Sequence, residues 1–275
     1  PGLHVNLVSI TLLSFSPLLL QIVSPVTLGV FIIALAMTQS FTDALPSIYL
    51  GAPDDSQALN VLPGHRLLMK GEGHNAIIYN TVGSLGCVIL GMLLFPLFIF
   101  SMEAIYSIIK GVMGYLLALI MVFMVKREKH KWLKSLTAFM MAGILGLMVL
   151  SISTLHQPLF PLLSGMFGFS LLLVSLKDNT KIPEQTPNMP LTLSNKNLAK
   201  SVSAATGMGF VSAFLPGFGN SQAAIVATNV VGKVGDEGFL TIVGGLNTAS
   251  MLISIGAAYI LDKARNGAIV VVKEI

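Results

Sequence analysis

The sequence has 275 residues, 54% hydrophobic and only 10% charged, with a mean hydropathy of +0.82. Soluble domains carry about 25% charged residues, so this composition excludes an ordinary soluble fold and describes an integral membrane protein. The net charge of +4 comes from lysines and arginines in connections, the positive-inside pattern of membrane topology, and not from a nucleic-acid-binding face. The single cysteine, Cys87, lies in an apolar run, which excludes a disulfide within the chain and a thiolate metal cluster.

Pro1-Gly2-Leu3-His4-Val5-Asn6 leads into an apolar segment over residues 7–22, closed by Ser24-Pro25. A second segment, 26–45, ends in the polar cluster Thr38, Gln39, Ser40, Thr42 and Asp43. Gln39, Thr42 and Asp43 stand at i, i+3 and i+4, so they share one helical face suited to a cavity wall. Residues 46–75 read as a long, packed, irregular connection. It is punctuated by Gly51-Ala52-Pro53-Asp54-Asp55 and Leu62-Pro63-Gly64-His65-Arg66.

Spans are expected over 76–100 and 104–125, with Ser101-Met102-Glu103 between them, then a basic loop over 126–134 and further spans over 135–155 and 158–176. Residues 177–198 read as a polar linker between a first membrane repeat, 1–176, and a second, 199–275. The second repeat holds apolar runs over 202–214, 223–231 and 238–261, and another segment starts at Ala268. Because the chain begins inside a motif and ends on a segment just starting, it reads as a fragment. The expected fold class is an all-α polytopic membrane protein with about eight to ten transmembrane or re-entrant segments.

The stretch Leu215-Pro216-Gly217-Phe218-Gly219-Asn220-Ser221-Gln222 separates two runs that are each too short to cross a bilayer. Proline and glycine break the helix there, and the freed backbone groups are tolerable only in protein or beside a wet cavity. The new helix N-terminus favours anions. The same Pro-Gly followed by polar residues opens the chain, and Phe41-Thr42-Asp43-Ala44 is echoed by Leu246-Asn247-Thr248-Ala249. Paired broken helices in two repeats point to a transporter's binding site. No metalloprotease, nucleophile-elbow or P-loop signature is present, so no enzyme is expected, and no metal-ligand spacing links the histidines.

These motifs resemble the large permease subunit of the tripartite tricarboxylate transporters, and especially its shorter archaeal members. The resemblance is carried by Pro1 to Asn6, Ser40-Phe41-Thr42-Asp43, Pro46-Ser47, Gly51-Ala52-Pro53-Asp54 and Leu62-Pro63-Gly64-His65-Arg66. It continues in Lys70-Gly71-Glu72-Gly73, Leu215-Pro216-Gly217-Phe218-Gly219 and Gly245-Leu246-Asn247-Thr248-Ala249. The sequence departs from that family in being shorter and in following Pro63-Gly64 with His65-Arg66. The resemblance implies a secondary carrier in a prokaryotic, archaeal-type cytoplasmic membrane. It would take up small organic anions such as di- and tricarboxylates with H⁺ or Na⁺, and would need no other cofactor. Membrane lipid would surround it, and a small membrane subunit and an extracytoplasmic binding protein would be its partners.

On this reading the substrate is held by Gly2, His4, Asn6, Gly217, Gly219, Asn220, Ser221, Asn247 and Thr248. Ser40, Thr42 and Asp43 couple the ion, with a candidate Na⁺ position near Asp43 or Asn247. Pro63, Gly64, His65 and Arg66 form an access loop. The alternatives are a membrane enzyme acting on a lipid-linked substrate through Asp43, Asp54, His65 and Arg66, and a non-transporting scaffold.

Overall fold

The structure is a computed structural model, and it describes residues 4–51, 55–127, 131–154, 165, 169, 173, 182–186, 190–215, 218–264 and 266–275. The described elements are helices, as the all-α expectation requires. The chain divides into two compact units, Pro1–Lys110 with Ile182–Ile275, and Gly111–Lys181.

In the larger unit, α1 (Val5–Ser14) starts at His4, whose Nδ1 accepts the Asn6 N–H at 3.1 Å. A short turn, α2 (Ser16–Leu19), follows. Helix α3 (Pro25–Thr42) is started by the Ser24 hydroxyl, which accepts the Thr27 N–H at 3.2 Å, and by proline at its first position. Helix α4 (Ala44–Leu50) follows directly and is stopped by Gly51 at φ 62°, the left-handed conformation glycine adopts without strain.

A 3₁₀ turn (Asp55–Asn60) runs into α5 (Val61–Leu68). Residues 46–75, expected as an irregular connection, are therefore largely helical. Pro46 and Pro63 fall in the first turns of α4 and α5, where a missing N–H breaks no helical bond.

Helix α6 (Gly73–Lys110) has 38 residues. That is roughly 57 Å at 1.5 Å per residue, against a hydrocarbon core of about 30 Å. The connection expected at residues 101–103 does not exist. No glycine or proline interrupts the helix there, and the Ser101 hydroxyl returns its bond to the Leu97 carbonyl at 2.8 Å. The chain turns instead at residues 111 and 112.

Later in the chain, α9 (Asn195–Phe214) ends at an extended Leu215, and α10 (Asn220–Val231) begins after an extended Gly219. The expected helix break is thus in place, although Pro216 and Gly217, like Gly2, lie outside the described residues. Helix α11 (Gly235–Ile260) and α12 (Gly267–Glu274) complete this unit.

Helix α11 is its pillar, buried along most of its length and packed by α6, α9, α10 and α3. Small residues allow that approach, as is usual between membrane helices. A Cβ at Gly83 would stand 2.0 Å from the Thr241 carbonyl oxygen, and one at Gly209 would stand 2.6 Å from the Ala249 Cβ. Outward faces stay apolar and exposed, as at Leu93, Phe100, Val230 and Tyr259.

Residues expected as a polar linker are bonded to the start of α6. Gln185 accepts the Gly73 N–H at 2.9 Å and donates to the Leu68 carbonyl, Thr186 N–H reaches the Gly71 carbonyl, and the Tyr79 hydroxyl accepts the Thr192 N–H at 2.8 Å.

The smaller unit contains the mutually packed α7 (Met113–Arg127) and α8 (Trp132–Leu150). Four described helical stretches, Pro25–Leu50, Gly73–Lys110, Trp132–Leu150 and Gly235–Ile260, are long and apolar enough to cross a membrane.

Candidate functional site: a cavity at three helix starts

Each helix leaves its first N–H groups without an intrahelical partner, which makes its start electropositive. In the larger unit three such starts line one cavity of about 380 Å³: α1 with His4, Val5 and Asn6, α10 with Gly219 and Asn220, and α12 with Asn266 and Gly267. The end of α3 contributes Gln39, Ser40 and Asp43, α9 contributes Ser212, and the middle of α11 contributes Asn247, Ser250 and Ser254. Among the described residues the lining includes no lysine or arginine, and Asp43 is its acidic member.

Local bonds fix this arrangement. Val5 N–H donates to Gln39 Oε1 at 2.5 Å, tying the start of α1 to α3. Gly267 has no room for a side chain, since a Cβ would stand 2.7 Å from Asn6 Oδ1, so the starts of α1 and α12 lie against each other. Asn266 Oδ1 caps α12 by accepting the Ala268 N–H at 2.9 Å. Gly219 offers no side-chain cap to α10.

The end of α3, the start of α10 and the middle of α11 meet here. The hydroxyls of Ser40 and Thr248 are 3.0 Å apart, Asn247 Nδ2 donates to the Ser40 carbonyl at 3.3 Å, and Asn220 Nδ2 donates to Asn247 Oδ1 at 3.4 Å. A chain of side chains thus runs from the start of α10 through α11 to the end of α3.

Of the residues expected at the site, His4, Asn6, Ser40, Asp43, Gly219, Asn220 and Asn247 line the cavity, and Thr248 stands behind it through Ser40. Thr42 bonds within its own helix, to the Gln39 carbonyl at 3.2 Å, and neither it nor Ser221 lines the cavity. Gly2 and Gly217 lie outside the described residues.

The expected access residues are elsewhere and belong to helix α5, not to a loop. Pro63 and Gly64 are buried there, and a ring nitrogen of His65 is 3.0 Å from the Ile48 carbonyl. Arg66 forks onto Asp236 with bonds of 2.7 and 2.5 Å, which hold its guanidinium pKa above the ordinary value.

Sequence reasoning passed over Ser212, Ser250, Ser254, Asn266 and Gly267. Two signals were available. Asn266 before an apolar run has the pattern of a helix cap, and Asn247, Ser250 and Ser254 repeat at i, i+3 and i+7 on one helical face.

Comparison with known proteins bears on this chain as a whole. The family model for the tripartite tricarboxylate transporter TctA family matches residues 1–275. The chain belongs to the tripartite tricarboxylate transporter TctA family. An uncharacterized protein of the archaeon Methanocaldococcus jannaschii is 30% identical over 272 residues, a match that covers 97% of this chain and 66% of that protein. The chain therefore spans just under two thirds of the length of this relative. No solved structure matches. As a member of a transporter family with several helices able to span a bilayer, this TctA-family chain is an integral membrane protein.

Proposed function

We propose that the chain is the substrate-binding part of a permease for small organic anions, of the di- and tricarboxylate class. The observation that carries this reading is the convergence of three helix starts on one polar cavity. Each start contributes roughly half a positive charge, so an anion can be held without lysine or arginine. Asn247, Asn220 and the serine hydroxyls supply neutral donors that orient a carboxylate, and His4 stands at the rim formed by α1.

Asp43 faces the same cavity, and its carboxylate next to a bound anion calls for a compensating cation. The coupling ion, H⁺ or Na⁺, is therefore assigned to Asp43, with the Asn247 side chain and the Ser40 carbonyl nearby. Movement of one repeat against the other would open the cavity to each side in turn. A small membrane subunit and an extracytoplasmic binding protein would complete the transporter in a prokaryotic cytoplasmic membrane.

The test is a thermal-shift screen of the purified full-length protein with di- and tricarboxylates, sugar acids and phosphate, each in Na⁺ and in K⁺ at two pH values. A carboxylate-specific rise that disappears in Asn247→Leu is expected, since ligand binding to the folded state raises its stability. Equal shifts in Asn247→Leu and the parent protein would remove the cavity from the reading.

A further inference from the structure

The directions in which the helices of the larger unit run follow from the residues that stand opposite one another. On α6 and α11 these are Asn80 with Leu240, Ser84 with Gly244, Gly91 with Leu252 and Ile99 with Gly256. On α9 and α11 they are Ser201 with Gly238, Ala205 with Gly245 and Gly209 with Ala249. Numbers rise together in both series, so α6, α9 and α11 are parallel. Because α6 and α11 are long and apolar enough to span, they give the unit two ends, one at each face of the membrane.

Helix α10 runs the other way. It begins beside the middle of α11, where Asn220 meets Asn247. It packs along α9 and α11 and reaches the 3₁₀ turn, whose Gln57 meets Asn80. Its 12 residues rise roughly 18 Å, the same distance that α11 climbs between Gly235 and Asn247. Residues 232–234 then join Val231 to the start of α11. The start of α9 and the end of α10 therefore lie at one end of the unit. The break between them lies inside it, where Ser212 and Gly219 line the cavity, the setting that non-helical backbone requires at membrane depth.

Helix α1 leaves the same cavity in the opposite direction. It starts where Val5 meets Gln39 and Asn6 meets Gly267, and it packs along α12. That helix runs outward, from Asn266 beside Met251 to Lys273, which pairs with Asp262 just past the end of α11. Helix α3 then returns, with Gly29 beside Val272 and Ser40 beside Asn247 and Thr248. Helices α1 and α10 are thus opposed, and so are α3 and α11, which cross at the cavity. A two-fold axis lying in the membrane plane produces this relation. In sequence, Pro1-Gly2 precedes Val5 by the same spacing as Pro216-Gly217 precedes Asn220.

We propose that α1–α3 and α10–α11 are the cores of two inverted repeats, and that α9 and α10 form a re-entrant hairpin whose ends, Asn195 and Val231, face the same side of the membrane. The proposal does not depend on which ligand the cavity takes. It assigns no net crossing to residues 195–231, and it gives each face of the membrane one helix that starts at the cavity and one that returns to it. In carriers with inverted repeats the binding site lies between the repeats near the middle of the bilayer, which is where the axis passes here.

The test is labelling of single cysteines in the full-length protein by a membrane-impermeant maleimide, in right-side-out membranes and in inside-out vesicles. Lys196→Cys and Lys233→Cys report the two ends of the hairpin, and Gln21→Cys reports the turn before α3. All three residues are exposed, and Cys87 is buried. The first two cysteines are expected to react from one face and Gln21→Cys from the other. Labelling of Lys196→Cys and Lys233→Cys from opposite faces would overturn the hairpin, because residues 195–231 would then cross the membrane. Labelling of Gln21→Cys from the same face as both would overturn the inversion. A position that reacts in detergent but from neither face would overturn its placement at a membrane surface.

Discussion

At the scale of single residues, glycines show how tightly the pillar helix is gripped. A methyl group at Gly83 would stand 2.0 Å from the Thr241 carbonyl oxygen, so Gly83→Ala must push α6 away from α11. Overpacking of this kind costs about 1–3 kcal/mol or more, and the unfolding midpoint should fall accordingly. Gly207, inside α9, has nothing within 4 Å of the same position. There Gly207→Ala should gain roughly 0.5–1 kcal/mol from helix propensity. Equal midpoints for the two variants would mean that α6 and α11 are not in close contact.

Site residues were legible in the sequence where a polar group interrupts an apolar run, as with Asn6, Asp43, Asn220 and Asn247. Ser250 and Ser254 were harder to see, because a serine in a membrane helix usually satisfies itself on the preceding turn. Both do bond back to α11 carbonyls, at 3.1 and 2.6 Å, while still facing the cavity.

Among the elements, the prolines were the main source of misreading. A proline at the third position of a helix looks the same in sequence as one in a loop, so α4 and α5 were not expected. The break between α9 and α10 was legible because Pro216, Gly217 and Gly219 fall together between two short apolar runs. The contact between Arg66 and Asp236 spans 170 positions of sequence, and no local pattern announces it. Arg66 and Asp236 are 58% and 30% exposed, so Arg66→Ala should cost under about 1 kcal/mol, and less in high salt. Gln185 is the stronger tie, since it bonds Gly73 and Leu68 in a partly buried place. Gln185→Ala should lower stability by about 1–3 kcal/mol through the orphaned Gly73 N–H, insensitive to salt. Chemical unfolding of both variants at low and high ionic strength separates the two cases.

For the whole molecule, the sequence carried the fold class and the break before α10, but not the presence of the α12 start at Asn266 in the cavity wall. Helix order in space depends on which small faces meet, and that is not local information. The arrangement makes a direct prediction about solvent access. With Cys87 buried and inert, a cysteine placed at Ser250 should react with a hydrophilic thiol reagent, and a bound carboxylate should slow that reaction. Cysteines at Leu93 or Val230, on exposed apolar faces, should resist the hydrophilic reagent and accept a lipid-soluble one. Equal labelling at all three positions would contradict a wet cavity inside a lipid-facing shell.

The pillar has a further consequence, for biogenesis. Helix α11 has a mean hydropathy of 1.5, against 2.4 for α6, because Thr241, Asn247, Thr248, Ser250 and Ser254 lie along it. Lipid solvates such a segment less well than it solvates α6, so its retention in the bilayer should depend more on its neighbours. Helices α6 and α9, which precede it in the order of synthesis, supply the faces against which it is buried.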